Sequence, residues 1–511
     1  MKSDDAKFSE ALLTRSTIAL TEVTQPKYCN GEEFLEGVEL FKKVLGAANV
    51  SVDQDQLLLH SNNPACTHHP PKEGQVPECV VYPESTEQVV EMLKISNRLR
   101  IPVVPFGAGS SLEGHIYSTR QPCVVVDLRR MNKILEIHDD DMDVVVQAGV
   151  PYGEVNRVLE PYGLMMGSDC APDAVIGGMI ATNASGINAC AYGPMRDNVI
   201  SATVVLADGT VVKTKQRPRK SSAGYNLTGL VVGSEGTLGI VTQATIKVHV
   251  KPKHEKVAVV QFKSVEEATT AVTKILKSGI KLNAIELLDA NMMRCINYAG
   301  SSSRTWDNAP SLFLKINGVN PVITNELVKE VKTIANGSGA IRFTLAKDEA
   351  EAKELFDIRK NAHYSVLEYT YGTIGDDGRM WGTDVAVPLS KLTPVLEASH
   401  RDLDKANIDY VILGHVGDSN FHFNVLYKPE QESVVRAIVD KMVYTGLANE
   451  GTCTGEHGVG NGKRKYLEAE LGPDAINLMR KLKLAVDPNR IMNPDKVFAI
   501  DPFDTIDSYS A

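Results

Sequence analysis

Residues 105–115 read Pro105-Phe106-Gly107-Ala108-Gly109-Ser110-Ser111-Leu112-Glu113-Gly114-His115, and this stretch decides how the N-terminal half of the chain is interpreted. It follows the apolar run 101–104, which predicts a short buried strand. Glycine allows a positive φ and the close approach of a ligand, and successive N–H groups in such a turn can bind an anion. The stretch therefore predicts a phosphate-binding loop, with an ordinary loop as the alternative. It matches neither the Walker A pattern nor the G-x-G-x-x-G pattern, so another fold must hold any nucleotide.

The composition is that of a globular protein with more than one domain. The chain has 511 residues, 43% hydrophobic and 23% charged, and this length predicts two or three domains. A net charge of −10, with no long Lys/Arg cluster, argues against a nucleic-acid partner. No apolar run reaches the roughly 18 residues that suggest a membrane span, so none is expected. The eight cysteines are scattered without a C-x-x-C pair, which favours a reducing compartment.

The N-terminal residues do not resemble a targeting signal. Asp4, Asp5 and Glu10 contrast with the Arg-rich, acid-poor composition of a mitochondrial presequence, and the apolar core of a secretory signal is missing. A presequence already removed from the chain stays open as an alternative.

The hydrophobic pattern predicts an α+β fold. Strand, helix and strand alternate between 80 and 104, and a hairpin is expected to turn at Asp208-Gly209. Pro252 and the charged residues 253–256 predict a domain boundary. Beyond it we expect a second unit in which helices cover one face of an antiparallel sheet, with one long helix over about 348–369.

Two further stretches are rich in small residues. The segment 167–193 contains Gly177, Gly178 and Gly186, and small residues at this density let the backbone lie against a flat aromatic system or against other backbone. A tight structural turn is the alternative. Residues 229–240 form another glycine cluster, which leads into a predicted strand.

Two turns near the C-terminus carry residue types that bind metals. His415 and His422 belong to the stretch 414–422, and Glu456-His457 lies in the Gly-flanked turn 454–460. Imidazole nitrogens and a carboxylate suit Zn²⁺ or Mn²⁺ and can leave coordination positions open to a substrate. His457 would then be free to act as a base. Histidines with a purely structural role are the alternative.

Arg359, on the helix expected over 348–369, has two interpretations. It can be a solvated charge, or its guanidinium can bind a substrate carboxylate through two hydrogen bonds. The residues alone leave both open.

Together these motifs resemble the FAD-linked dehydrogenases of the vanillyl-alcohol-oxidase/p-cresol-methylhydroxylase (PCMH) type. The similarity is carried by residues 105–115, 174–178, 220–227, 234–239, 451–460 and 490–496, with the histidines at 415 and 422. Within that group the sequence is similar to the cytochrome-linked D-lactate dehydrogenase family. The resemblance implies an α+β fold with a helical lead-in (1–74), a PCMH-type FAD-binding domain (75–252), an antiparallel-sheet substrate or cap domain (253–455) and a C-terminal helical segment that returns to the flavin (456–511).

The resemblance also implies a role for individual residues. The implied catalytic residues are His457 as base, Arg359 for the substrate carboxylate, and Asn424. The implied ligands of a divalent metal, zinc or manganese, are His415, His422 and Glu456. The implied FAD-binding residues are Pro105, Gly107, Ala108, Gly109, Ser110, Ser111, Gly114, His115, Gly177, Gly178, Asn183, Ser185, Gly186, Glu235, Gly236, Thr237, Gly239, Ile240, Val241 and Asn493.

The implied reaction is oxidation of D-lactate, or of a related D-2-hydroxy acid, to the 2-oxo acid by hydride transfer to FAD with the metal assisting. Cytochrome c, a quinone or a keto acid is implied as the electron acceptor. The family resemblance implies a mitochondrial location, with a cytoplasmic one as the alternative, and an oligomer is possible.

Two departures from the family pattern leave alternatives open. Ser419 replaces the second Gly of His-x-Gly-Asp-Gly-Asn-x-His, and a positive φ there would cost about 1–2 kcal/mol. Asn424 is similar to the sister D-2-hydroxyglutarate dehydrogenases, although the Lys of that group is absent from 380–384. D-2-hydroxyglutarate oxidation coupled to pyruvate reduction is therefore the alternative function. A metal-dependent hydrolase and a catalytically silent FAD-fold binding protein are the rivals from other classes.

Overall fold

The computed structural model describes residues 4–64, 66–72 and 74–503. In chain order, the strands of this part are β1 Val50–Ser51, β2 Cys79–Val81, β3 Val103–Phe106, β4 Val124–Asp127, β5 Ile134–His138, β6 Asp143–Gln147, β7 Leu164–Met166, β8 Val199–Val205, β9 Val211–Lys213, β10 Ile240–Val250, β11 Glu255–Gln261, β12 Ala284–Leu288, β13 Ser311–Asn317, β14 Arg342–Leu345, β15 Arg379–Gly382, β16 Val385–Ala386, β17 Asp409–Gly414 and β18 Asn420–Tyr427. The α-helices are α1 Asp4–Thr14, α2 Gly31–Leu45, α3 Gln54–Leu59, α4 Thr86–Leu99, α5 Tyr152–Leu159, α6 Ile176–Thr182, α7 Ala189–Tyr192, α8 Met195–Asn198, α9 Leu227–Val231, α10 Val265–Lys277, α11 Ala290–Ala299, α12 Pro321–Asn336, α13 Glu349–Lys360, α14 Ala362–Thr373, α15 Leu392–Ala406, α16 Glu432–Ala448 and α17 Arg464–Val486. The outer ends of the predicted lead-in and of the predicted C-terminal segment, 1–3 and 504–511, lie outside the described residues.

The glycine-rich loop begins at the end of a strand of the first sheet. The order of this sheet is β1-β2-β4-β3, in which β4 runs parallel to both β2 and β3. Helix α4 connects β2 to β3, and the Ser85 side chain caps it by accepting the Gln88 N–H. Helices α2 and α4 share one apolar core with the sheet. Because β3 ends at Phe106, residues 107–115 leave from the carboxyl end of a parallel strand, where such sheets commonly bind ligands. Strand β1 comes from the lead-in, which is therefore not helical throughout.

The second sheet is antiparallel and is organised around β10. Its order is β5-β6-β10-β8-β9, and β7 also pairs with β10. Strands β8 and β9 form the hairpin expected at Asp208-Gly209, where Gly209 has a φ of +86°. This sheet, with α5 and α6, encloses a second core and places the turn before β10 beside the first sheet.

The third sheet has eight strands and is antiparallel, as expected, but helices cover both of its faces. Its order is β14-β11-β13-β12-β17-β18-β15, with β16 paired to β18. Helices α10, α12, α15 and α16 share a core with one set of alternate strand residues, and α11, α13 and α14 share a core with the other set. The prediction of helices on one face is therefore wrong. The continuous apolar runs of β11 and β13 are typical of strands buried on both faces.

Two helices in the C-terminal half depart from simple expectation. The single helix predicted over 348–369 is two helices, α13 and α14, which are separated at Asn361. Helix α17 is kinked at Gly472, before Pro473, and the chain after it returns to the first sheet, where the Asn493 N–H donates to the Val103 carbonyl at 2.8 Å. Within the described ranges, no helix combines the length and the apolar composition that a bilayer crossing requires.

Candidate active site

A cavity of about 450 Å³ is lined by both halves of the chain. The N-terminal half contributes residues within 105–112, 174–184 and 234–241. The C-terminal half contributes Glu456 and His457, together with Lys360 and two residues of α14. The volume lies in the range of small-molecule and cofactor sites.

The glycine-rich loop packs too tightly against its neighbours to carry side chains, and a glycine opposite it leaves space in the cavity. A Cβ at Gly107 would lie 2.6 Å from Val175 Cγ2, and a Cβ at Gly109, where φ is +72°, would lie 2.7 Å from the Phe106 ring. At Gly178 a Cβ would meet only Val175, at 3.7 Å, so it would point into the cavity. The buried Ser111 hydroxyl oxygen has no hydrogen-bond partner among the described residues. These features fit a flat cofactor that carries phosphate, and FAD is one.

Most of the residues predicted to bind FAD line this cavity. They are Pro105, Gly107, Ala108, Gly109, Ser110, Ser111, His115, Gly177, Gly178, Glu235, Gly236, Gly239, Ile240, Val241 and Asn493. The structure thus brings together four stretches that the sequence separates by as many as 388 positions, from Pro105 to Asn493. Their contacts with FAD stay a prediction.

The remaining five lie outside the lining of the cavity, and most have a structural task. These are Gly114, Asn183, Ser185, Gly186 and Thr237. Asn183 ends α6 in a left-handed conformation and its side chain accepts the Arg196 N–H. A Cβ at Gly186 would overlap the Asp169 carbonyl oxygen, and Thr237 donates its hydroxyl to the Ser234 carbonyl.

His415, His422 and Glu456 lie close enough to share one metal ion. Glu456 Oε1 lies 3.0 Å from His415 Nε2 and 3.3 Å from His422 Nε2. Two ligands about 2.1 Å from a tetrahedral zinc lie roughly 3.4 Å apart. Both histidines are buried, and a Gly-rich turn supplies the carboxylate. The three residues fit a divalent cation such as Zn²⁺ or Mn²⁺.

The other nitrogen of each imidazole is already held. His415 Nδ1 lies 2.9 Å from Glu286 Oε1, and His422 Nδ1 lies 2.9 Å from the Thr383 carbonyl oxygen. Such contacts fix the tautomer and leave Nε2 to face a metal. The ligand geometry therefore depends on β12 and on the segment after β15 as well as on the two turns.

Electrostatics keep this cluster charged despite its burial. Burial alone would raise the pKa of Glu456, but the nearby His415 and His422 imidazoles hold it well below its usual range. Burial alone would lower the pKa of His415, whereas Glu286 and Glu456 raise it to about 10. Without a metal this imidazole is therefore protonated, and a metal bound at Nε2 would displace that proton. The carboxylate is thus ionised and ready to bind a cation.

His457, the residue after the carboxylate ligand, lines the cavity. Its ring stacks on His422, with centroids 5.0 Å apart and planes 9° apart. His457 Nδ1 lies 3.8 Å from Glu113 Oε1, and Lys463 Nζ lies 3.2 Å from the same oxygen. The stacking fixes the plane of the ring, and Nδ1 has no hydrogen-bond partner among the described residues, because 3.8 Å is too long for a hydrogen bond to Glu113.

Asp384 fixes the backbone of the turn that carries these two residues. Its Oδ2 accepts the Glu456 N–H at 2.9 Å and the His457 N–H at 2.8 Å. It also accepts the Thr454 hydroxyl at 2.8 Å. Burial would raise the pKa of Asp384, but His457 and Lys463 hold it well below its usual range. The turn therefore rests on an ionised, buried carboxylate.

Arg359 is buried and paired, so the interpretation as a solvated charge is wrong. The residue is 6% exposed, and its Nη2 lies 2.8 Å from Glu286 Oε2. Glu286 thus joins Arg359 to His415. Arg359 Nε is buried with no hydrogen-bond partner among the described residues, and Arg359 is not part of the cavity lining, so its predicted contact with substrate stays a prediction.

The two positions that depart from the family pattern are both buried. Ser419 has a φ of +56°, so the strained conformation expected for a serine at this glycine position is present. Asn424 lies on β18 opposite Gly382, is 4% exposed, and is not part of the cavity lining. Its predicted contact with substrate stays a prediction.

Glu113, Glu286, Asp384 and Lys463 were not singled out from the sequence. Glu286 lies in the apolar strand Ala-Ile-Glu-Leu-Leu. Because a buried carboxylate is usually paired with a charged or polar group, its position in this strand indicates such a partner. The other three carry no comparable local signal, because their partners lie far away in the sequence.

Comparison with known proteins identifies the family. Residues 77–215 match the family described as FAD binding domain, and residues 251–497 match the family described as FAD linked oxidases, C-terminal domain. The chain is 47% identical over 494 residues to the D-lactate dehydrogenase (cytochrome), mitochondrial, of Kluyveromyces lactis, which covers 96% of this chain and 85% of that protein. It is also 47% identical over 501 residues to D-lactate dehydrogenase (cytochrome) 1, mitochondrial, of Saccharomyces cerevisiae, which covers 97% and 85%.

Solved structures support the same fold at lower identity. The structure of p-cresol methylhydroxylase with substrate bound superposes with a TM-score of 0.77 at 20% identity, and it covers 94% of this chain and 99% of that one. This likeness concerns the fold alone, and it confirms the PCMH-type architecture that the family resemblance implies. The chain therefore belongs to the family of FAD-dependent oxidoreductases that contains the cytochrome-type D-lactate dehydrogenases.

Proposed function

We propose that this protein oxidises D-lactate, or a closely related D-2-hydroxy acid, to the 2-oxo acid. The observation that carries the proposal is that one cavity is lined both by the glycine-rich segments and by Glu456 and His457. A flavin bound along the glycine-rich segments would therefore lie next to a substrate bound at Glu456 and His457. Two relatives that are 47% identical to this chain over the aligned residues are named D-lactate dehydrogenase (cytochrome). A metal-dependent hydrolase would leave the glycine-lined part of the cavity without a role.

The protein's own residues would bind the hydroxy acid and remove its hydroxyl proton. Arg359, whose Nε has no hydrogen-bond partner within the part of the chain that the structure describes, would hold the carboxylate and so orient the C2–H bond. His457 Nε2 would accept the hydroxyl proton as C2 loses its hydrogen with the bonding electron pair and the C=O bond forms. Bound FAD supplies the acceptor for that hydride. A metal held by His415, His422 and Glu456 supplies Lewis-acid chemistry that lowers the pKa of the hydroxyl group.

The electrons would then pass to a second acceptor. The cytochrome-type names of the relatives favour a cytochrome, and their mitochondrial names favour a mitochondrial location for this protein. Both remain part of the proposal.

The experiment that tests the function is an anaerobic visible spectrum of the purified protein before and after addition of substrate. We expect D-lactate to bleach the flavin band and L-lactate to leave it unchanged. Bleaching mainly by D-2-hydroxyglutarate would keep the chemistry and change the substrate to that of the sister group. A flavin band that no hydroxy acid bleaches, or protein that binds no FAD, would contradict the proposal.

Replacement of Arg359 by lysine tests how the carboxylate is bound. Lysine keeps the charge but cannot donate two parallel hydrogen bonds from a planar group. We expect the KM for D-lactate to rise at least about tenfold, with FAD content unchanged. Arg401→Lys, at a 61% exposed side chain, is the matched control. An unchanged KM in Arg359→Lys would rule out the carboxylate contact.

A further inference from the structure

The turn 454–460 is held on a second side by a carboxylate from the flavin-binding half of the chain. Glu235 Oε1 accepts the Val459 N–H at 2.6 Å, and Glu235 Oε2 accepts the Gly460 N–H at 2.8 Å. Asp384, in the third sheet, holds Glu456 and His457 from the other side. Four backbone N–H groups of one short turn therefore point at two buried carboxylates.

Glu235 itself has little freedom to move. It is 5% exposed and has a φ of +53°. Asn493 donates its side-chain N–H to the Glu235 carbonyl oxygen at 2.7 Å, and His115 Nε2 lies 3.1 Å from Oε2. The next residue, Gly236, has no room for a side chain, since a Cβ there would lie 2.8 Å from Pro105. Rigid neighbours thus fix where the carboxylate sits.

The contacts of the Glu235 side chain are with the turn and with His115. Each carboxylate oxygen accepts one N–H of the turn, and His115 Nε2 lies beside Oε2, so the observed contacts of this side chain are made within the protein. Burial would raise the pKa of Glu235, but His115 and the two backbone N–H groups hold it below its usual value. Hydrogen bonds from backbone N–H groups to an ionised carboxylate are among the stronger ones in proteins.

We propose that Glu235 is a positioning residue that fixes the turn carrying Glu456 and His457 against the wall of the flavin cavity. This inference rests on the proposed function, because the distance it fixes is that between the proton acceptor and the flavin. A misplacement of about 1 Å at a reacting group can cost about 10²-fold in rate. The residue touches no reacting atom, so its effect passes through the turn.

The test replaces Glu235 by glutamine, which keeps the shape of the side chain but can accept with only one of its two terminal atoms. We expect one FAD per chain to remain bound. We expect the rate constant of flavin reduction at saturating hydroxy acid to fall by at least about tenfold, with a change of less than about threefold in the apparent Kd of the substrate. Hydrogen exchange of the peptide that contains 454–460 should become faster.

Asp289→Asn is the matched control, because it exchanges another buried carboxylate for an amide. Asp289 is 5% exposed and caps α11 by accepting the Met292 N–H at 2.7 Å, which asparagine can also do. We expect this variant to resemble the wild type in exchange over 454–460 and in flavin reduction. Glu235→Asp is the second variant should the amide fail to fold, and it should give the same pattern because the shorter side chain withdraws from the turn.

Three results would overturn the inference. They are unchanged exchange over 454–460, an unchanged reduction rate per bound flavin, and a loss of activity that only follows loss of FAD, which would make Glu235 a cofactor-binding residue. The exchange experiment involves no substrate. It therefore tests the contact between Glu235 and the turn even if no hydroxy acid reduces the wild-type flavin.

Discussion

Replacing His457 with alanine should slow flavin reduction by D-lactate by about 10²-fold or more, because general-base catalysis typically contributes about that much. The imidazole lines the cavity and is stacked on His422, so its ring is held where it can accept the hydroxyl proton. Alanine removes the proton acceptor and leaves the Asp384 and Glu235 contacts of the turn, which are made to its backbone. The measurement is anaerobic stopped-flow absorbance of the flavin at saturating substrate.

Two control measurements separate the loss of a base from a general loss of function. The variant should bind FAD with the wild-type spectrum, since its cavity is otherwise intact. His400→Ala, at a side chain that is 49% exposed on α15, should reduce its flavin at the wild-type rate. Near-normal reduction in the His457 variant would remove this residue from the role of base.

Replacing Glu456 with glutamine should abolish tight metal binding and lower turnover by about 10³-fold. Its Oε1 lies 3.0 Å from His415 Nε2 and 3.3 Å from His422 Nε2, so this oxygen would be the third protein ligand of the metal. The amide keeps the shape and loses the negative charge that a cation requires. Metal content after dialysis, measured by elemental analysis together with turnover, gives the result.

A graded series makes the metal prediction specific. Glu286→Gln keeps all three ligands but weakens the contact that orients His415, so it should weaken metal binding by about 10- to 100-fold. Because Glu286 also pairs with Arg359, metal content rather than turnover is the result to compare. Glu326→Gln, at a side chain that is 63% exposed, should change nothing. A Glu456 variant that retains metal as tightly as the wild type would exclude this carboxylate as a ligand.

Local signals in the sequence predicted much of the site. The glycine-rich loop could be predicted because it needs a backbone with few side chains, and glycines within a short stretch show this need directly. The metal-binding types were visible because His415, His422 and Glu456 stand in Gly-flanked turns. The structure adds that the two turns meet, with Glu456 Oε1 lying 3.0 Å from His415 Nε2 and 3.3 Å from His422 Nε2, which no local pattern contains.

Partners that are distant in the sequence were the part that could not be predicted. Glu286 lies 129 positions from His415, and Glu235 lies 224 positions from Val459. The first contact depends on the pairing of β12 with β17 inside the third sheet, and the second on how the two halves of the chain meet. No hydrophobic periodicity reports either one. The helices on both faces of the third sheet are a different case, because the unbroken apolar runs of β11 and β13 did carry that information.

The return of the chain to the first sheet bears on how the holoprotein is made. Asn493 lines the cavity, hydrogen-bonds to Val103 and supports Glu235, although it lies near the C-terminal end of the described residues. A nascent chain that has not yet extended past this residue has an incomplete cofactor pocket, even when both domains have begun to fold. A flavin bound in this cavity would therefore be held tightly only after the segment around Asn493 has joined the first sheet.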